Sequence, residues 1–125
     1  MAIHAGSIGK ADTPYGDRVG CVFNGHPLRC GIDVKVTGDH PIMDGVEKEF
    51  HIRDEHYQTT VTAPDAVELF RTVSETGGDQ PAGYVREMGS GRMCVLTPGH
   101  CLDVWHHPEF KKILVNAMYW CMSQK

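Results

Sequence analysis

No stretch of this chain approaches the ~20 consecutive apolar residues that a membrane-crossing helix needs. It also lacks a basic run: lysine and arginine are scattered, and the formal net charge is -4. A nucleic acid or an anionic membrane surface would repel such a chain, so neither is expected as a partner. The first residues show no basic segment leading into an apolar one, so no secretory leader is legible there. A CxxC pair is lacking too: the cysteines, odd in number, stand at positions 21, 30, 94, 101 and 121. That spacing fits neither a disulfide framework nor a zinc ribbon, and reduced thiols in a cytoplasmic protein are the expectation. Cys94 and Cys121 fall on apolar faces as small hydrophobes; Cys101, after a Gly-His pair, is the one to test for reactivity, with an inert loop thiol favoured.

What is present is an ordinary globular mixture, 41% hydrophobic and 22% charged. Its 125 residues fit one domain, 1–125, and can bury a real core, but they are few for a full doubly wound sheet. Eight histidines and fourteen glycines are many for this length. Histidine titrates near neutrality and is the commonest metal ligand, so its excess points towards chemistry.

Local patterns give several elements. Met1 to Gly6 reads as a short strand entering a glycine turn, and residues 7–18 as a loop or short helix broken by Gly9, Pro14 and Gly16. Ile32, Val34 and Val36 alternate with polar residues, as a half-buried strand does. Pro41 and Gly45 mark a turn, and Phe50 and Ile52 start a strand that runs into Arg53-Asp54-Glu55-His56-Tyr57. Residues 66–73 fit helix or strand by pattern, and context favours strand. Residues 82–87 and 92–96 flank Met88-Gly89-Ser90-Gly91, a hairpin signal. The last element is a helix over 108–122, with Pro108 in its first turn. Phe110, Ile113, Leu114, Ala117, Met118 and Cys121 recur on one face.

The run Arg86 to Met93, then Thr97-Pro98-Gly99-His100, Trp105, Pro108-Glu109-Phe110 and Asn116 to Trp120, resembles the closing segment of ThuA-like (trehalose-utilisation) proteins. Phe23 to Pro27, Asp39 to Ile42 and Asp54 to Tyr57 resemble three earlier stretches of that family in the same order, and Ile3 to Gly6 the strand and turn before them. Each motif is weak alone; their joint order over nearly the whole chain is specific. The resemblance implies an α/β fold, the flavodoxin-like three-layer sandwich of class I glutamine amidotransferases, with a parallel sheet covered by helices on both faces. It starts near the middle of the family's domain, so the fold is expected to be incomplete, with the N-terminal βαβ units missing. An exposed sheet edge and a homo-oligomer follow. The matching strand-to-helix turn offers His4 where amidotransferases carry a cysteine, so thiolate glutamine hydrolysis is not expected.

The resemblance and the topology together nominate a site. His4 and His100 each follow a strand, at the carboxyl edge where α/β sheets hold ligands. Glu55 and Tyr57 face one way along their segment and Asp54 and His56 the other. His4, Glu55 and His100 make a two-histidine, one-carboxylate set able to hold a divalent metal such as zinc, or to act without metal as acid and base on a sugar hydroxyl. Tyr57 is the candidate hydrogen-bond donor, and Asp54, His26 and Arg92 are candidates to contact the substrate. Each has a plainer role: a core hydrogen bond for His4, a cap or ion pair for Asp54 and Glu55 with Arg53 or Arg92, and a turn before proline for His26 and His40. His106-His107 reads as the approach to the last helix, and His51 as an exposed strand position. The functional expectation is carbohydrate metabolism, on trehalose or a related disaccharide. The rival is a non-catalytic sugar- or metal-binding module or an inactive remnant.

Overall fold

A computed structural model of the chain describes residues 1–123. Eight strands run Ala2–Ile3 (β1), Cys21–Gly25 (β2), Cys30–Val36 (β3), Glu49–Asp54 (β4), Gln58–Val61 (β5), Val67–Ser74 (β6), Gly78–Met88 (β7) and Gly91–Leu96 (β8). Three α-helices cover Pro14–Val19 (α1), Leu102–His106 (α2) and Pro108–Met122 (α3), with 3-10 turns at His4–Ser7 and Pro41–Met43. No helix among the described residues is long and apolar enough to cross a membrane.

Six strands form one mixed sheet in the order β1-β8-β7-β6-β3-β4, and β2 and β5 form a separate antiparallel pair. Only β1 and β8 run parallel; the four other pairings of the large sheet are antiparallel. The mainly parallel sheet expected above is thus not what these residues build. The reason is local: β7 and β8 are joined by the tight turn at Met88–Gly91, and so short a connection returns the chain antiparallel. The strand reading of 66–73 holds as β6.

Side-chain alternation divides the interior in two. Along β7 and β8, Val85, Cys94 and Leu96 enter the larger core, which α2, α3 and the 41–43 turn cover. Tyr84 and Val95 point to the opposite face and pack with Ala2, Val19 and Cys21. A bulge in β6 breaks strict alternation, so that Leu69 and Phe70, neighbours in sequence, are both fully buried. Phe70 packs against Gly83, where a Cβ would stand 2.1 Å from its ring. Helix α3 buries Phe110, Ile113 and Ala117, while Leu114 is half-buried and Met118 is 45% exposed. Met118 therefore leaves the apolar face assigned to it. At 100° per residue it lies beside Ala117 on the flank, and the sheet covers only the central stripe.

Candidate functional site

The carboxyl ends of β1, β4 and β8 meet, and the loops beyond them carry the site. His4 follows β1 at once, with φ of 48°, a left-handed conformation that costs a non-glycine residue ~1–3 kcal/mol. Its turn is fixed by the hydroxyl of Ser7, which donates to the His4 carbonyl at 2.6 Å, and by Gly99, where a Cβ would press on Ile3 and His4 at 3.1 and 3.4 Å. His100 sits in the loop after β8. Asp54, fully buried at the end of β4, accepts the amide hydrogens of Gly99 at 2.7 Å, His100 at 3.0 Å and Cys101 at 2.9 Å. Trp105 of α2 closes the loop by donating from its indole to the Gly99 carbonyl. Asp54 thus holds His100 in place, and its carboxylate is turned to the protein rather than to a ligand.

Glu55 points the other way, as strand alternation requires, and three imidazoles surround its Oε2. The distances are 3.3 Å to His4 Nε2, 3.2 Å to His100 Nδ1 and 3.6 Å to His26 Nε2. One ligand atom each from His4, Glu55 and His100 lies within 4.8 Å of the others. Four tetrahedral ligands at the usual zinc bond length of ~2.0–2.1 Å stand roughly 3.3 Å apart, so these separations suit a small divalent cation.

The outer nitrogens fix the tautomers. His4 Nδ1 meets the Thr97 carbonyl at 3.0 Å and His26 Nδ1 the Pro27 carbonyl at 2.8 Å. A carbonyl only accepts, so each Nδ1 carries the hydrogen and each Nε2 turns towards Glu55. A backbone partner of this kind is what orients metal-binding histidines. His100 has the opposite arrangement: the Arg29 guanidinium donates to its Nε2 at 2.8 Å, which leaves the hydrogen on Nδ1, aimed at Glu55.

Tyr57 floors the cluster. Its ring lies 4.2 Å from that of His4, 4.6 Å from Phe23 and 5.7 Å from His26. Burial, with the Glu55 and Asp54 carboxylates adding to it, raises the phenol above its ordinary value, so it remains a hydrogen donor at neutral pH. The structure thus brings together His4, Glu55, His100, Tyr57 and His26, and puts Asp54 directly behind them.

Arg92 is not among them. Its guanidinium lies over Trp120 and donates to the Trp120 carbonyl at the end of α3, far along the fold from Glu55. Nothing in the sequence marks Arg29, which is one arginine in a loop with no pattern around it. Burial and then the Asp54 carboxylate push the Cys101 thiol above its usual range, which favours the protonated form.

With this geometry in place, the relatives can be named. The family model for ThuA, trehalose utilisation, matches residues 1–121. The chain belongs to the ThuA family. No curated protein matches. Among solved structures, a putative ThuA-like protein from Bacteroides uniformis is similar over 97% of this chain and 57% of its own, with a TM-score of 0.76 and 22% identity. A second, from Parabacteroides merdae, covers 85% of this chain and 43% of its own, with a TM-score of 0.59 and 16% identity. Identities this low establish a shared fold alone. The ThuA chain described here spans roughly half the length of either neighbour.

Proposed function

We propose that this ThuA-family chain carries a small-molecule site for carbohydrate chemistry, on a disaccharide of the trehalose type, built from His4, Glu55 and His100. One observation carries the reading: three imidazole nitrogens converge on a single carboxylate oxygen of a half-buried glutamate. Two of them present lone pairs to it, an arrangement that is repulsive unless a proton or a cation stands between. A divalent metal such as zinc fits the donor set and its spacing, with His4, Glu55 and His100 as ligands; when bound it would polarise a sugar oxygen as a Lewis acid.

The chain's own residues supply the rest. Tyr57 donates to a ligand oxygen, His26 closes the side of the cluster, and Asp54 keeps His100 at its station. Without metal the same pair, Glu55 and a histidine, passes a proton to and from a sugar hydroxyl. Metal loading requires Arg29 to release His100, because a ring nitrogen that coordinates through Nδ1 carries its hydrogen on Nε2 and repels the guanidinium. The large sheet ends at β1, and we take that edge as the place where further parallel strands of a flavodoxin-like sheet, or a second copy of the chain, would join.

Added zinc is expected to raise the melting temperature of the metal-stripped protein, since a ligand bound only by the folded state stabilises it by mass action. His100→Ala should remove most of that gain, and Arg29→Ala should keep or enlarge it. A wild-type melting curve that ignores zinc would end the metal reading and leave acid/base chemistry.

A further inference from the structure

The histidine that faces Glu55 with one nitrogen also forms the wall of a second space. A surface cavity of about 450 Å³ is lined by Arg29, Arg53, His100, Cys101, Leu102 and Asp103. Arg53 enters it by strand alternation: in β4 Phe50, Ile52 and Asp54 turn inward, and His51 and Arg53 turn out. Arg29 precedes β3, whose Gly31 pairs with Arg53, so both guanidinium groups start from neighbouring strands.

Among the described residues, three of the six arginines are ion-paired; Arg18, like these two, is not, but it lies on α1 and does not line this cavity. Arg71 is bonded to Glu68 and Asp79, Arg86 to Asp65, and Arg92 stands 3.6 Å from Glu87. Among the described residues, neither Arg29 nor Arg53 lies within ion-pair distance of any carboxylate; Arg29 holds only His100, and Arg53 has no side-chain partner. Asp103 is the one acid on the lining; Asp54 and Glu55 stand behind it, turned to the 99–101 amides and to the histidines, so the two guanidinium groups are the cations that face the cavity. Two guanidinium groups without a carboxylate partner at one cavity offer an anion a seat, because guanidinium forks match carboxylate and phosphate oxygens in shape as well as charge. Leu102, 70% exposed, adds an apolar surface beside them for the carbon face of a sugar ring.

We propose that this cavity is the anion subsite of the histidine cluster, and that the substrate is a sugar bearing a carboxylate or phosphate group. The inference rests on the carbohydrate reading above and names its substrate class. The anionic group takes the Arg29 and Arg53 forks, and His100, shared by both spaces, meets the sugar between them. Drawing Arg29 to the anion also frees His100 Nε2, so occupation of the subsite and release of the catalytic histidine are one movement.

The test is calorimetric titration of the metal-stripped chain, residues 1–125, at low ionic strength with glucose, glucuronate and glucose 6-phosphate; the last two separate the carboxylate from the phosphate source. At least one acidic sugar should bind at least about tenfold more tightly than glucose, the scale of a charge-assisted hydrogen-bonded pair. Arg29→Ala and Arg53→Ala should each erase that preference, and Arg53→Lys should restore part of it. Both arginines are exposed, so the variants should melt as the wild type does. Glucose binding as tightly as both acidic sugars, no binding by either acidic sugar, or a preference that survives both alanine variants would each overturn the proposal. The zinc response is read without sugar, so it can fail or succeed independently.

Discussion

Single residues in this protein divide by what their hydrogen bonds leave free. Asp54 and His56 flank Glu55 on the inward side of the same segment, and both are saturated. Asp54 takes three backbone amides, while the His56 ring meets Ser74 Oγ at 2.6 Å and Thr72 Oγ1 at 2.9 Å. Glu55 and Tyr57, turned to the other side and into the histidine cluster, keep polar atoms for a ligand, Tyr57 from a buried position. His56 is 1% exposed and Gly77 leaves no room beside it, a Cβ there standing 2.1 Å from Nδ1. Burial lowers its pKa below the ordinary value of 6.5. The unfolded chain therefore takes up this proton first as pH falls. Its contribution to stability is complete above ~6.5 and is lost progressively below it. The melting temperature should fall from pH 7 towards pH 5, and His56→Gln should flatten that slope while lowering the curve as a whole. An unchanged slope in the variant would show that other groups govern the acid limb.

At the scale of elements, α3 ties the site's sheet to its loops. Its N-cap is His107, whose Nδ1 accepts from the Glu109 amide, and Glu109 in turn accepts the Glu47 amide at 2.8 Å and pairs with Lys112. Asn116 donates to the carbonyls of Ile42 and Asp44, so the 41–43 turn is held from the middle of the helix. Packing is concentrated on Phe110, Ile113 and Ala117. Phe110→Ala should cost ~3–5 kcal/mol in chemical denaturation, as a cavity in a closed core does. Met118→Ala, on the flank, should stay within about 0.5 kcal/mol. Leu114→Ala belongs between them. Equal losses at 110 and 118 would mean that the helix is rotated from the position described.

For the molecule as a whole, the open question is its edge. β1 has only two residues, is paired on one side by β8, and closes the large sheet with Ala2 already buried. A parallel strand of this kind is ordinarily flanked on both sides, and unpaired amide and carbonyl groups beside apolar side chains invite another strand. His4 stands directly after this strand, so whatever covers β1 also walls the site. The isolated chain is expected to form a homodimer or larger assembly with residues 1–6 at the contact. Light scattering at micromolar concentration should report at least twice the mass of one chain. A cooperative, well-folded monomer would show that the edge is closed from within.

Features that depend on neighbours in sequence were legible before any fold was known. Alternation marks β3, the glycine turn marks the β7–β8 hairpin, and the apolar stripe marks α3, because each records a local period or a short connection. The opposed directions of Asp54 and Glu55 follow from the same rule. The convergence of His4, Glu55 and His100 was nominated through family likeness, since 51 and 45 positions separate them and no spacing encodes their meeting. Strand direction depended on which segments paired, and that replaced a parallel sheet by a mixed one. Arg92 and Arg29 show the limit most plainly. Arg92 lies in a family-like run and Arg29 in a loop without pattern, yet the fold sends the first to the end of α3 and the second to the His100 ring. Charge in sequence has no direction, and only tertiary packing decides which histidine a guanidinium meets.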